Sequence, residues 1–148
     1  MKYFSYGSNM NPDRMNSRMI YYSKREHGIL IGWKLKFNKI SNNNYNIGYA
    51  NIEQDESGIV EGILYKIKDS DLKKLDIYEG CPNHYYHKQV KIKLDDEQIV
   101  EATTYIAQPS KIKNGLKPSK EYLRHLLKGN DFITIDYYKK LKYLDTIE

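Results

Sequence analysis

Cysteine is almost absent from this sequence, since Cys81 is the single one among 148 residues. One cysteine excludes an internal disulfide and any zinc site that needs several cysteines, and it suits a reducing compartment. Polar Ser5, Ser8 and Asn9 interrupt the apolar start before a signal-peptide core could form. No stretch approaches the roughly 20 apolar residues that span a bilayer. We therefore expect a cytoplasmic protein with no membrane partner.

Motifs for cofactors and metals are also missing. The sequence has no GxGxxG spacing, no P-loop lysine and no HExxH pattern, and its four histidines include one i,i+3 pair, His84 and His87. Cys81 and His84 could be sketched as a thiol and its base, but Pro82 between them favours an ordinary turn with a free thiol. The sequence therefore disfavours a nucleotide-binding loop and a metal site.

Low-complexity segments and internal repeats are lacking as well, so we expect one domain over residues 1–148. The chain is basic, with a formal charge of +5, and it contains fifteen tyrosines. Aromatic rings on basic strands could stack the bases of single-stranded RNA or DNA. However, no RNP-type strand motif accompanies them. A nucleic-acid-binding module is therefore an alternative, and the sequence favours a protein without a nucleic-acid partner.

Short alternating segments and capped amphipathic segments predict an α+β protein. Strands are expected at residues 2–6 and in "GWKLKFNK", "YANIEQ", "GIVEGILYKIK", "YYHKQVKIKL" and "IVEATTYIA", with "DESG" and "DDEQ" as turns. Helices are expected in "NPDRMNSRM", "SDLKKLDIYEG", "KPSKEYLRHLLKG" and "IDYYKKLKYL". The helix in "SDLKKLDIYEG" is expected to be capped by Asp69 or Ser70 and to stop at Gly80.

Glu79 is the most informative residue of that helix. Leu72, Leu75 and Glu79 stand at i, i+3 and i+7, on one face. If the leucines are buried, a carboxylate points inward at the helix C-terminus, where both burial and the helix dipole raise its pKa toward values useful for proton transfer. The alternative is that the helix end frays and Glu79 faces solvent.

The segment "YGSN", residues 6–9, offers complementary chemistry. Gly7, Ser8 and Asn9 lie between a strand end and a helix start, where successive backbone N–H groups are unpaired and can hold an anion or oxyanion. The alternative is an ordinary strand-to-helix connection with an Asx turn.

With "YFSYGSNM" and "LDIYEG" in this order, the chain resembles the γ-glutamylcyclotransferase family, including its AIG2-like and bacterial relatives. The similarity covers roughly residues 2 to 142, including "TTYIA". It implies a small, mostly antiparallel β-barrel with surrounding helices. It also implies a cofactor-independent enzyme, a carbon-nitrogen lyase or acyltransferase by type, which releases 5-oxoproline when the α-amino group of a γ-glutamyl amide attacks its own γ-carbonyl.

The resemblance implies a role for individual residues. Glu79 would be the general acid/base, and substrate would be bound by Tyr3, Tyr6, Gly7, Ser8, Asn9, Tyr86 and Tyr122. Tyr86 fits by residue count, although strand alternation allows Tyr85 equally. "CPNH" after Glu79 falls at a variable place in the family, which leaves the leaving group open: glutathione, a γ-glutamyl amino acid or a γ-glutamylamine. The expected partner is this small γ-glutamyl substrate. The protein is expected to be a monomer or a homodimer. A relative that binds a metabolite without turnover is a further alternative.

Overall fold

A computed structural model describes all residues, 1–148, and contains a closed five-stranded barrel with four helices. The strands are β1 (Lys2–Ser5), β2 (Lys24–Ile40), β3 (Gly48–Lys66), β4 (Tyr85–Leu94) and β5 (Ile99–Ala107). The helices are α1 (Pro12–Ser17), α2 (Asp69–Glu79), α3 (Lys120–Leu127) and α4 (Ile135–Lys142), and short 3₁₀ turns span Ser8–Met10 and Pro109–Lys111. The predicted α+β class and barrel with surrounding helices are confirmed.

The barrel closes in the order β1-β3-β2-β4-β5, and every neighbouring pair is antiparallel except β1 and β5. All five strands contribute to an apolar cluster that includes Phe4, Val60 and Ile92. A second cluster joins strand residues to all four helices, through side chains such as Met15, Leu75, Leu126 and Leu141. No helix is both long enough and apolar enough to cross a membrane.

The predicted turn at "DESG" is wrong, because β3 runs through it without a break. The strand pairing shifts register between Ile31 and Trp33, where Gly32 has φ +89°. A side chain on Gly58 would lie 2.3 Å from the carbonyl oxygen of Trp33, so the backbones approach closely there. The polar and glycine-containing segment therefore lies within β3 but has no cross-strand partner, because the pairing passes directly from Trp33–Gln54 to Ile31–Ile59.

The helix boundaries were predicted well at some ends and poorly at others. Asn11 caps α1 by accepting the N–H of Asp13, and Gly80 ends α2 as expected, in the left-handed conformation with φ +63°. The predicted cap of α2 is wrong: both Asp69 and Ser70 lie inside the helix, and Lys68 occupies the cap position. Its N–H donates to the carboxylate of Asp71, the third residue of the helix, as in one half of a capping box.

Candidate active site

The candidate site lies where the end of β1, the C-terminus of α2 and the start of α3 meet. It encloses about 310 Å³, including open space toward solvent. The lining residues are Tyr3, Ser5, Tyr6, Gly7, Ser8, Asn9, Ala50, Glu79, Tyr85, Thr104, Tyr105 and Tyr122. Seven of the eight residues proposed from the sequence therefore share one cavity, although they come from three distant parts of the chain.

Glu79 reaches this cavity because α2 is anchored through Leu75, which is fully buried one turn earlier on the same helix face. Gly80 ends the helix directly after it. The carboxylate Oε1 accepts a hydrogen bond from Asn9 Nδ2 at 3.1 Å. Glu79 thus points inward at a helix end, as the leucine spacing predicts, and the frayed alternative is not what the structure has.

Burial raises the pKa of Glu79 above its ordinary value. Arg18, Arg14, the hydrogen bond from Asn9 and, more weakly, Lys39 oppose that rise because each favours the carboxylate. Because its pKa is raised, the Glu79 carboxyl group gains and loses its proton at a pH closer to neutral than a surface glutamate does. That property suits a group that takes up a proton and returns it.

The "YGSN" segment supplies donors to the cavity. The backbone N–H groups of Gly7, Ser8 and Asn9 make no hydrogen bond within the protein, whereas the next two amides donate to the carbonyls of Gly7 and Ser8. Gly7 lies so close to its neighbours that a Cβ there would sit 3.3 Å from both Ala50 Cβ and the Tyr122 hydroxyl. The free amides can therefore hold an anionic group against the cavity wall.

Asn9 connects this turn to the acidic residue. It is 2% exposed, and its Nδ2 donates to the Tyr3 hydroxyl at 2.9 Å as well as to Glu79. Its Oδ1 accepts from Arg18 at 2.9 Å, and its carbonyl accepts from the Tyr65 hydroxyl at 2.6 Å. With its backbone and side chain both held, Asn9 fixes the orientation of the Glu79 carboxylate.

Tyrosine hydroxyls complete the wall. The Tyr122 hydroxyl accepts the N–H of Ala50 at 3.0 Å, and the Tyr122 ring stacks on Tyr49. The hydroxyls of Tyr6 and Tyr85 donate to the carbonyls of Tyr105 and Ala50. Burial raises the pKa of Tyr6, Tyr85 and Tyr122, so these phenols stay protonated near neutral pH. They shape a polar, uncharged wall around Glu79.

The assignment of Tyr86 to the cavity is wrong. Tyr85 lines the cavity and is buried, whereas Tyr86 is half-buried and pairs with Ile106 on the opposite face of β4. Because side chains alternate along a strand, only one of the two adjacent tyrosines can face the cavity. Residue counting favoured Tyr86. Which of the two tyrosines faces the cavity depends on where α2 packs against β4 and β5, and the sequence alone does not define that packing.

A larger opening of about 610 Å³ adjoins the cavity and shares Ser8, Glu79, Tyr85 and Tyr122 with it. We call its three cations, Arg14, Arg18 and Lys39, the basic mouth. Arg18 lies over the ring of Tyr78, with its guanidinium carbon 4.7 Å from the ring centroid. None of the three was proposed from the sequence. Arg14 and Arg18 carry no distinguishing pattern, and Lys39 follows a second register shift of β2, between Lys36 and Lys39, that breaks the alternation.

A group of possible metal ligands lies beside the cavity. Donor atoms of Asp76, Cys81 and His87 lie within 4.8 Å of one another. His87 Nε2 is 2.6 Å from Asp76 Oδ1, and the Tyr105 hydroxyl donates to the same oxygen at 2.5 Å. Both hydrogen bonds are made to one oxygen of the carboxylate, Oδ1.

Comparisons with known proteins identify a family and a shared fold. Residues 3–124 match the family model described as "Gamma-glutamyl cyclotransferase, AIG2-like". The chain is 25% identical over 151 aligned positions to gamma-glutamylcyclotransferase of Bos taurus, covering 97% of this chain and 78% of that protein. It is 28% identical over 71 residues to a Drosophila melanogaster protein that carries the same name provisionally. That match spans 48% of this chain and only 45% of the fly protein.

The fold is shared with solved structures. A structure titled "Gamma-glutamyl cyclotransferase" superimposes with a TM-score of 0.87 at 24% identity, covering 99% of this chain and 89% of that one. At 24% identity, this similarity shows only that the two proteins share the fold of the barrel and its helices.

Proposed function

The chain belongs to the gamma-glutamyl cyclotransferase, AIG2-like family, and from this premise we propose that it releases 5-oxoproline from a γ-glutamyl amide. The observation that supports the proposal most strongly is the Glu79 carboxylate, held by Asn9 in a cavity that also presents the free amides of the "YGSN" segment. Cyclisation needs one proton-transfer group and a cradle that fixes the substrate, and the cavity offers both.

The reaction joins and breaks bonds at one carbon. The substrate's α-amino nitrogen attacks its own γ-carbonyl carbon, which forms the ring C–N bond. The C–N bond to the leaving amine then breaks, and 5-oxoproline is released. Because nucleophile and electrophile belong to the same molecule, the protein must mainly hold the folded conformer. The N–H groups of Gly7, Ser8 and Asn9 would bind the α-carboxylate or the oxyanion.

Glu79 would move the proton between the two nitrogens. The attacking amine loses a proton as the ring closes, and the leaving nitrogen must gain one before it departs. As a carboxylate, Glu79 accepts the first proton; as a carboxylic acid, it donates the second, so it returns to its starting state. The raised pKa of Glu79 keeps both forms accessible.

Replacing Glu79 by glutamine tests this role. Glutamine keeps the size and the hydrogen bond to Asn9 but cannot take up a proton, so kcat for 5-oxoproline release should fall at least ~10²-fold. The assay measures 5-oxoproline from a panel of γ-glutamyl amino acids, peptides and amines. The matched control is Glu101→Gln, an exposed glutamate of β5, which should keep wild-type turnover.

Near-normal turnover of Glu79→Gln would show that the role given to Glu79 is wrong. A wild-type protein that binds γ-glutamyl compounds but releases no 5-oxoproline would favour the relative without turnover. The nucleic-acid alternative predicts salt-sensitive binding that ignores Glu79. It has lost part of its basis, because Tyr3, Tyr6, Tyr65, Tyr85 and Tyr105 are buried and cannot stack on bases.

A further inference from the structure

Lys39 is a buried cation without an anionic partner. It is 1% exposed, and its Nζ donates only to Asn42 Oδ1 at 3.1 Å. The ammonium lies 5.7 and 5.5 Å from the ring centroids of Tyr49 and Tyr85, at the opening beside Glu79. A lysine is almost never fully buried without a pairing group, because the loss of hydration is costly.

Two other partly buried cations of this protein, Arg25 and Lys36, show the usual arrangement. The side chain of Arg25 is 8% exposed and pairs with Asp131 at 2.5 Å. Lys36, three residues before Lys39 on the same strand, pairs with Glu53 at 2.9 Å. Lys39 therefore differs from these two cations, although it is more deeply buried than either.

The surroundings of Lys39 add positive charge rather than neutralise it. Arg14 and Arg18 line the same opening, and the Nε of Arg14 is buried without a hydrogen-bond partner. Lys111 is close enough to help burial lower the pKa of Lys39 to about 8, so the ammonium is still charged at neutral pH. The only acidic group lining the opening is Glu79, whose charge partly opposes the lowering of the Lys39 pKa and whose own pKa is raised by burial.

We propose that Lys39, with Arg14 and Arg18, forms an anion subsite that binds a carboxylate on the leaving group of the substrate. This proposal rests on the proposed function, because it takes the γ-glutamyl head to occupy the inner cavity. The head's own carboxylate is served there by the amides of the "YGSN" segment, and the leaving group must extend outward through the basic mouth. The preferred substrates are therefore γ-glutamyl amino acids or peptides, whose leaving amines carry a carboxylate, rather than γ-glutamylamines.

Two substrates of equal size isolate this charge. γ-Glutamylalanine and γ-glutamylalaninamide differ only in whether the leaving group ends in a carboxylate or a neutral amide. A charge-assisted contact to a buried lysine should make kcat/KM about 10- to 100-fold higher for the acid. In Lys39→Met that preference should fall below about 3-fold, since a charged hydrogen bond is lost. Lys91→Met, an exposed lysine of β4, should keep the wild-type preference.

The ratio separates the subsite from other roles of Lys39. If Lys39 bound the carboxylate of the γ-glutamyl head, or only shifted the pKa of Glu79, Lys39→Met would lower kcat/KM equally for both substrates. The ratio of the two kcat/KM values would then stay as in wild type. A wild-type protein without preference, or Lys39→Met that retains it, would overturn the proposal. Thermal melts and circular dichroism confirm that each variant is folded.

A binding measurement keeps this result distinct from failure of the proposed function. Glu79→Gln, titrated by calorimetry, should bind γ-glutamylalanine at least ~10-fold more tightly than the amide, and Glu79→Gln with Lys39→Met should not. If wild type turned over neither compound, the enzymatic proposal would fail, and calorimetry would still decide on the subsite. Equal affinities, or no binding of either compound, would reject it.

Discussion

At the scale of single residues, Lys39, which is buried, and Glu79, which is half-buried, show two ways in which this protein tolerates a desolvated ionisable side chain. Glu79 is held by Asn9 and attracted by Arg18 and Arg14, whereas Lys39 has one neutral oxygen and two aromatic faces. Burial costs free energy in both cases. Groups that are retained at such a cost, in one opening, are candidates for function rather than for stability.

Lys39→Met should therefore stabilise the protein while it weakens the carboxylate preference. The variant should unfold with a free energy about 1 to 3 kcal/mol higher at pH 7, because methionine fills the same space without a charge to desolvate. That gain corresponds to roughly 2 to 4 °C in Tm per kcal/mol for a chain of this size. Thermal denaturation of the two proteins measures it.

The pH dependence of this gain follows from the lowered pKa of Lys39. Below pH 8 the lysine is charged in both folded and unfolded states, so the full penalty is present. Between about pH 8 and its ordinary value of 10.5, the folded protein releases the proton first and the penalty fades. The advantage of methionine should shrink over that range. A variant that is less stable than wild type at pH 7 would show that Lys39 is held by contacts stronger than those described.

At the scale of secondary-structure elements, β4 carries a natural internal control in its adjacent tyrosines. Tyr85→Phe removes the hydrogen bond to the Ala50 carbonyl and leaves a buried acceptor unpaired, which should cost about 1 kcal/mol and lower kcat/KM. Tyr86→Phe should stay within about 0.5 kcal/mol of wild type. Urea unfolding and 5-oxoproline kinetics on both variants measure these effects. The reverse order of effects would mean that the register of β4 is shifted by one residue.

At the scale of the whole molecule, barrel closure brings residues 3–9, Glu79 and Tyr122 to one cavity. The sequence predicts the inward direction of Glu79 because leucine spacing on one helix defines it, and it predicts the "YGSN" turn because strand and cap signals flank it. It cannot predict Lys39, since the register shift that buries this lysine depends on how β2 pairs with β3. Local sequence patterns thus predict the helices and strands and the inward direction of Glu79. The basic mouth cannot be predicted in this way, because it forms where distant segments pack together.

The central claim, that Glu79 carries the proton in 5-oxoproline formation, is tested most directly by the pH profile of kcat/KM for 5-oxoproline release. Glu79 must be ionised to accept the proton from the attacking amine, so activity should fall as pH decreases through its raised pKa. The account predicts an acid limb with its midpoint above 4.5, the ordinary value for a glutamate. A rate that stays constant down to pH 4.5, or the absence of 5-oxoproline at every pH, would contradict it.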